Sequence, residues 1–160
     1  MSKPYRKVLV PVDGSAASTA ALRESIRVSG TTGRLRLIHV LDEIAQARIA
    51  VPAAGAVSAD ILGALEKAGT KALADAEKIV RNKGVGVETA MLRSRGRDVA
   101  NIVLNDAKRW GAELIAMGTE GRRGLSRLLM GSNAEAVLRR SSVPLLLVPA
   151  RRTRASSAKK

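Results

Sequence analysis

The sequence predicts an α/β fold, a single doubly wound sheet of five parallel strands with helices on both faces. Two observations carry it. Five short apolar runs, Val8–Val12, Leu35–Leu41, Val85–Leu92, Leu114–Met117 and Val143–Val148, alternate with longer stretches of helical spacing. The first, fourth and fifth runs lack polar alternation, as strands covered on both faces do. Strand–helix–strand alternation implies right-handed crossovers, and the last run is expected at a sheet edge in the order 3-2-1-4-5.

The helices follow from local signals. Ser15 is placed to cap a first helix whose Arg23, Glu24 and Arg27 share a solvated side. In the second, Ile61, Leu65, Ala68, Ala72, Ala76 and Ile79 recur at three and four, with Ser58 before them and Gly84 as a stop. A third aligns Val99, Val103 and Trp110, which reads as core packing, and ends at Gly111. A fourth opens at Ser132-Asn133-Ala134-Glu135, a capping-box spacing, and turns Ala136, Val137 and Leu138 inward. Residues 44–57, with Pro52 and Gly55, show no period and read as a long connection. Residues 1–150 thus form one folded unit, and residues 151–160 read as a disordered basic tail.

Composition excludes several functions. The 160 residues include no Cys, which removes disulfides, thiol catalysis and Cys-ligated metals. With His39 alone, no two-His metal site can form. His39, flanked by Ile38 and Val40, reads as a packed strand histidine rather than a catalytic base. No Phe, one Trp and one Tyr leave little for base stacking. The net charge of +14 draws polyanions, and Arg151, Arg152, Arg154, Lys159 and Lys160 concentrate it in the tail. No apolar run approaches the roughly 20 residues of a membrane span. The basic start is followed by an apolar stretch that Asp13 ends, short of the about 7–15 residues of a signal peptide. The cytoplasm is the expected location.

Ligands of open parallel sheets bind beyond the carboxyl ends of the strands, where the strand order reverses. Two segments end strands with suitable residues. In Pro11-Val12-Asp13-Gly14-Ser15 the Asp13 carboxylate can accept from a ribose hydroxyl or an exocyclic amine, or merely cap the adjacent helix. In Gly118-Thr119-Glu120-Gly121, with Gly131-Ser132 after nine further residues, glycines and a helix N-terminus can present N–H groups to an anion. The plainer alternative is a set of turns and a cap. Neither a Walker loop nor a dinucleotide Gly-x-Gly-x-x-Gly is present. Arg122, Arg123 and Arg127 neutralise phosphates or solvate a surface loop, and Met117 lines a pocket or fills core.

Val8–Ser15, Gly96–Gly121, Gly121–Ser132 and Ala136–Val148 together closely resemble the universal stress protein family, from about Tyr5 to Val148. Its nucleotide-binding branch carries Gly-x2-Gly-x9-Gly-Ser/Thr, matched here by Gly118, Gly121, Gly131 and Ser132. The resemblance implies an adenine-nucleotide site, ATP or AMP with Mg2+ or Mn2+ as companion ion. It implies Pro11, Val12 and Asp13 after the first strand, backbone contact to adenine at Val40, and Met117, Arg122 and Asn133 beside the motif. It also implies a homodimer built on Val143–Val148. Many members have His where Glu120 stands, and a carboxylate there repels phosphates unless it faces solvent or helps hold a metal.

The expected function is therefore a nucleotide-dependent stress-response module without a dedicated catalytic group. A slow ATP-hydrolysing enzyme on the same scaffold is the alternative, as is a weak polyanion binder acting through the basic surface and tail. The Ser-Gly-Gly-x-Asp-Ser loop of pyrophosphate-cleaving relatives is absent after the first strand.

Overall fold

A computed structural model describes residues 5–42, 59–120 and 130–150. Among these, strands and helices alternate as β1 (Lys7–Pro11), α1 (Ala16–Ser29), β2 (Arg34–Leu41), α2 (Ala59–Arg81), β3 (Gly86–Arg93), α3 (Val99–Trp110), β4 (Leu114–Gly118), α4 (Ser132–Arg140) and β5 (Leu145–Val148). Every strand pair is parallel, and the sheet order is β3-β2-β1-β4-β5. The expected connection over 44–57 and the tail over 151–160 lie outside the described residues.

Successive strand residues face opposite sides, so each strand feeds two cores. Val8, Val10, Leu35, Leu37, Leu114 and Ala116 pack with Leu22 of α1 and Leu73, Ala76 and Val80 of α2. Leu9, Ile38, Ile115 and Met117 pack on the other face with Ala100, Val103 and Ala107 of α3 and Ala134 and Val137 of α4. Leu9, Leu35, Leu37, Ile38 and Ile115 are wholly buried, each side chain contributing about 1.5–3 kcal/mol. The core is aliphatic, as the composition requires.

Four helix details differ from expectation. On α2 the expected Ala76 is buried and Ile79 packs against the first core, but Gly69 and Leu73 are buried where Ala68 and Ala72 were expected, and Val80 is buried beside them. On α4 the cap is Gly131 with no side-chain hydrogen bond, so Ser132 is the first helical residue and the capping box is not formed. Leu138 is among the exposed large hydrophobics; Ala134 and Val137 are the residues α4 buries. Trp110 likewise stays half-buried at the end of α3. Its indole N–H donates to Glu88 Oε1 at 2.6 Å, and Lys7 Nζ lies 4.9 Å from its ring centroid. It clasps β1 and β3 to α3 instead of filling the core. The last strand is shorter than the run that foretold it, because Val143 and Pro144 precede its pairing.

One polar network crosses the second face. Arg36 of β2 grips Asp106 of α3 with two bonds, Nε to Oδ2 at 2.6 Å and Nη2 to Oδ1 at 3.1 Å, and reaches Glu88 Oε2 at 3.2 Å. Hydrogen bonding to Asp106 raises the Arg36 pKa above its ordinary value. Arg109 also donates to Asp106, so this buried carboxylate is matched by two guanidiniums.

Candidate functional site

The strand order reverses between β1 and β4, and the two strands part there. Their pairing covers Val8–Leu114 and Leu9–Ile115 only, whereas β1 stays paired with β2 as far as Pro11–Ile38 and β4 with β5 as far as Gly118–Val148. Pro11 explains the parting. Backbone polar groups alternate sides along a strand, and the Val12 N–H donates to Ile38 O of β2 at 2.8 Å. Pro11 therefore turns toward β4, and it has no N–H to offer. The crevice begins where that donor is missing.

The wall after β1 is held from β2. His39 is 3% exposed, and its Nδ1 lies 2.8 Å from Val12 O. A carbonyl only accepts, so Nδ1 carries the proton. His39 is thus the packed strand histidine expected, and it fixes the backbone that leads into Asp13. Asp13 Oδ1 accepts from Ser15 N–H at 2.8 Å, an Asx turn, while Ser15 itself caps α1 by accepting from Ser18 N–H at 3.1 Å. Asp13 is half-buried, and its second oxygen has no partner among the described residues. Gly14, at φ +80°, makes the turn into α1 possible.

The opposite wall comes from β4 and α4. Gly118 meets the first turn of α1 so closely that a Cβ would lie 2.7 Å from Ala17 Cβ and 2.9 Å from Ser18 N. This glycine is required by packing, whatever else it does. Thr119, which the sequence did not single out, is the joint: its N–H donates to Val148 O at 3.0 Å, and its carbonyl accepts from Gly131 N–H at 2.7 Å. That bond sets the start of α4 beside the end of β4. Ser132 and Asn133 are exposed on its first turn, where the leading N–H groups lack a side-chain cap. Met117 is buried in the second core, and Val40, half-buried, pairs with Leu92. Gly121 and Arg122 lie outside the described residues, as do Arg123 and Arg127.

The far end of α4 is clamped. Arg140 donates to Asp98, the N-cap of α3, and to Asn101 Oδ1 at 3.2 Å. The Arg140 hydrogen bond, with a further one from Ala100 N–H, holds the Asp98 carboxyl below the usual carboxylate range. Among the described residues no three His, Asp or Glu side chains gather as a metal site, and no helix is long and apolar enough to cross a membrane.

With this architecture in hand, comparison with known proteins places the chain. Residues 4–149 match the model of the universal stress protein family. The chain is 33% identical over 145 residues to universal stress protein MJ0531 of Methanocaldococcus jannaschii, covering 90% of this chain and 82% of that one. It is 30% identical over 149 residues to YxiE of Bacillus subtilis, covering 90% and 99%. The chain belongs to the universal stress protein family. The solved structure of the protein MJ0577 superposes with a TM-score of 0.74 at 23% identity, covering 94% of this chain and all (100%) of that one. Two further structures of this fold hold nucleotides. A family member from Arabidopsis thaliana with AMP bound matches at TM-score 0.63 and 16% identity, covering 95% and 96%. One from Archaeoglobus fulgidus in complex with dAMP matches at 0.62 and 22%, covering 91% and 99%.

Proposed function

We propose that the chain binds an adenine nucleotide, ATP or AMP, in the crevice between β1 and β4, and works as a nucleotide-dependent regulator in the stress response. The carrying observation is the uncapped N-terminus of α4 set beside the end of β4, one strand away from a carboxylate with a free oxygen. N–H groups and the helix dipole suit phosphates. Asp13 suits a ribose hydroxyl or base amine, the Val40 backbone an adenine edge, and Met117 an apolar wall. Gly121 and Arg122 would complete the cradle, with Ser132 and Asn133 adding donors. The AMP and dAMP held by structures of this fold support the nucleotide class.

A divalent ion, Mg2+ or Mn2+, would arrive with the nucleotide's own phosphates, since the described residues supply no cluster of ligands for it. The reading extends to a cytoplasmic homodimer joined along Val143–Val148. Asp13→Ala tests the site. It should weaken AMP binding in calorimetry by about 1–3 kcal/mol through lost hydrogen bonds, with the melting temperature lowered modestly by loss of the Ser15 N–H bond and the protein still folded at the assay temperature. Unchanged affinity would place the base and ribose elsewhere.

A further inference from the structure

A second concavity lies apart from the crevice and shares none of its residues. It runs between the end of β3 with the turn that follows it and the flank of α3 that carries Ile102, Asn105, Asp106 and Arg109, with a volume of ≈ 440 Å³. Leu92 and Ile102 line its apolar part, and Arg95, Arg97 and Arg109 bring positive charge around Asp106. Asp106 is matched by Arg36 and Arg109, which already occupy both its oxygens, so it does not neutralise Arg95 or Arg97. Arg95 and Arg97 have no carboxylate partner among the described residues, and Arg97 reaches only Ser94 O at 3.4 Å.

The turn that carries these arginines is tied down by backbone hydrogen bonds. Ser94 is wholly buried, its N–H donates to Leu41 O at 2.9 Å, and Arg97 N–H closes the turn on Ser94 O at 2.9 Å. Both central residues are left-handed, Arg95 at φ 48° and Gly96 at φ 79°. Gly or Asn ordinarily fills the first of these positions. Arg95 is the one described residue other than glycine with positive φ, and such outliers cluster where a ligand is gripped.

We propose that this groove is a second ligand site, for a small organic phosphate. Guanidiniums present paired donors that match phosphate oxygens, the patch formed by Leu92 and Ile102 in a mostly polar lining suits a small hydrocarbon body, and the volume suits a small molecule. The Arg95 and Arg97 side chains take the phosphate, with Leu92 and Ile102 beneath the apolar part.

Phenyl phosphate, titrated into the full chain and followed by backbone amide NMR, tests this. The expected result is saturable shifts at residues 94–98 and 105–110, with phenyl phosphate binding more tightly than inorganic phosphate. The double variant Arg95→Asn with Arg97→Gln should weaken phenyl phosphate by about tenfold or more. The double variant Arg23→Gln with Lys83→Gln, which removes the same charge from exposed positions elsewhere, should bind as the parent does. Equal weakening in both variants would overturn the proposal in favour of general charge attraction. So would shifts confined to Asp13, Gly118 and Ser132, equal affinity for inorganic phosphate, or no saturation at about millimolar concentration. The position of the shifts in the parent, with its comparison of the two phosphates, decides the matter even if a variant fails to fold, and shifts at residues 94–98 distinguish this groove from the crevice whether or not nucleotide binds there.

Discussion

At Gly69 the packing of one residue reaches the candidate site. A Cβ there would sit 2.5 Å from His39 Cδ2 and 2.8 Å from Nε2, closer than any real contact allows. The imidazole behind it holds Val12 O, and Val12 leads into Asp13. Gly69→Val should therefore act twice. It should destabilise the fold by about 1–3 kcal/mol through overpacking, and it should weaken nucleotide binding by loosening the β1 end. Chemical denaturation and AMP calorimetry on the same variant check both. Full stability with full affinity would show that His39 does not brace the turn.

At the scale of elements, periodicity revealed more than phase. The spacing of Ile61 to Ile79 announced α2 and placed Ala76 inward, yet the buried face also takes in Gly69, Leu73 and Val80, which the spacing did not mark. A run of alanines fits two neighbouring stripes, and the close approach of Gly69 to His39 is one contact that distinguishes them. The capping-box pattern at Ser132–Glu135 was present without its structure, because the Gly131 bond to Thr119 O starts α4 one residue earlier. The sheet order was legible because alternation and handedness leave few topologies. The parting of β1 from β4 was not, since it depends on which neighbour the missing Pro11 donor faces. Pro11, Val12, Asp13 and Gly118, the proposed site positions, were legible as residue types at strand ends. Thr119, acting only through its backbone, left no signal to find.

The α3–α4 clamp gives an element its pH dependence. Asp98 has its folded pKa lowered, so its contribution to stability is present above the unfolded carboxylate value of about 3.9 and is lost as pH falls through the folded one. Asp98→Asn keeps a capping side chain but not the charge. Its melting temperature should fall below the parent's at neutral pH, and the gap should close on acidification below about pH 4. A gap that persists in acid would assign the effect to capping geometry instead of the ion pair.

Across the whole molecule, β5 ends the sheet with its outer backbone unpaired among the described residues, and Leu138 of α4 is 46% exposed. An apolar edge of this kind invites a second copy related by a two-fold axis. Sedimentation should show a dimer at about tens of micromolar, where a modest interface persists. A monomer there would remove the homodimer from the functional reading. The net charge of +14 opposes association of two copies but attracts polyanions. Such attraction is salt-sensitive and needs no pocket, so salt separates it from binding in the crevice.

The central claim is that the crevice between β1 and β4 binds an adenine nucleotide on the N-terminus of α4. Calorimetric titration of ATP and AMP into the parent and into Gly131→Leu, at two salt concentrations, tests it most directly. A bulky side chain at the cap should crowd the leading N–H groups. The parent should bind with one nucleotide per chain and little salt dependence, while the folded Gly131→Leu protein should not bind. Equal binding by both proteins, or no binding by the parent, would contradict the account.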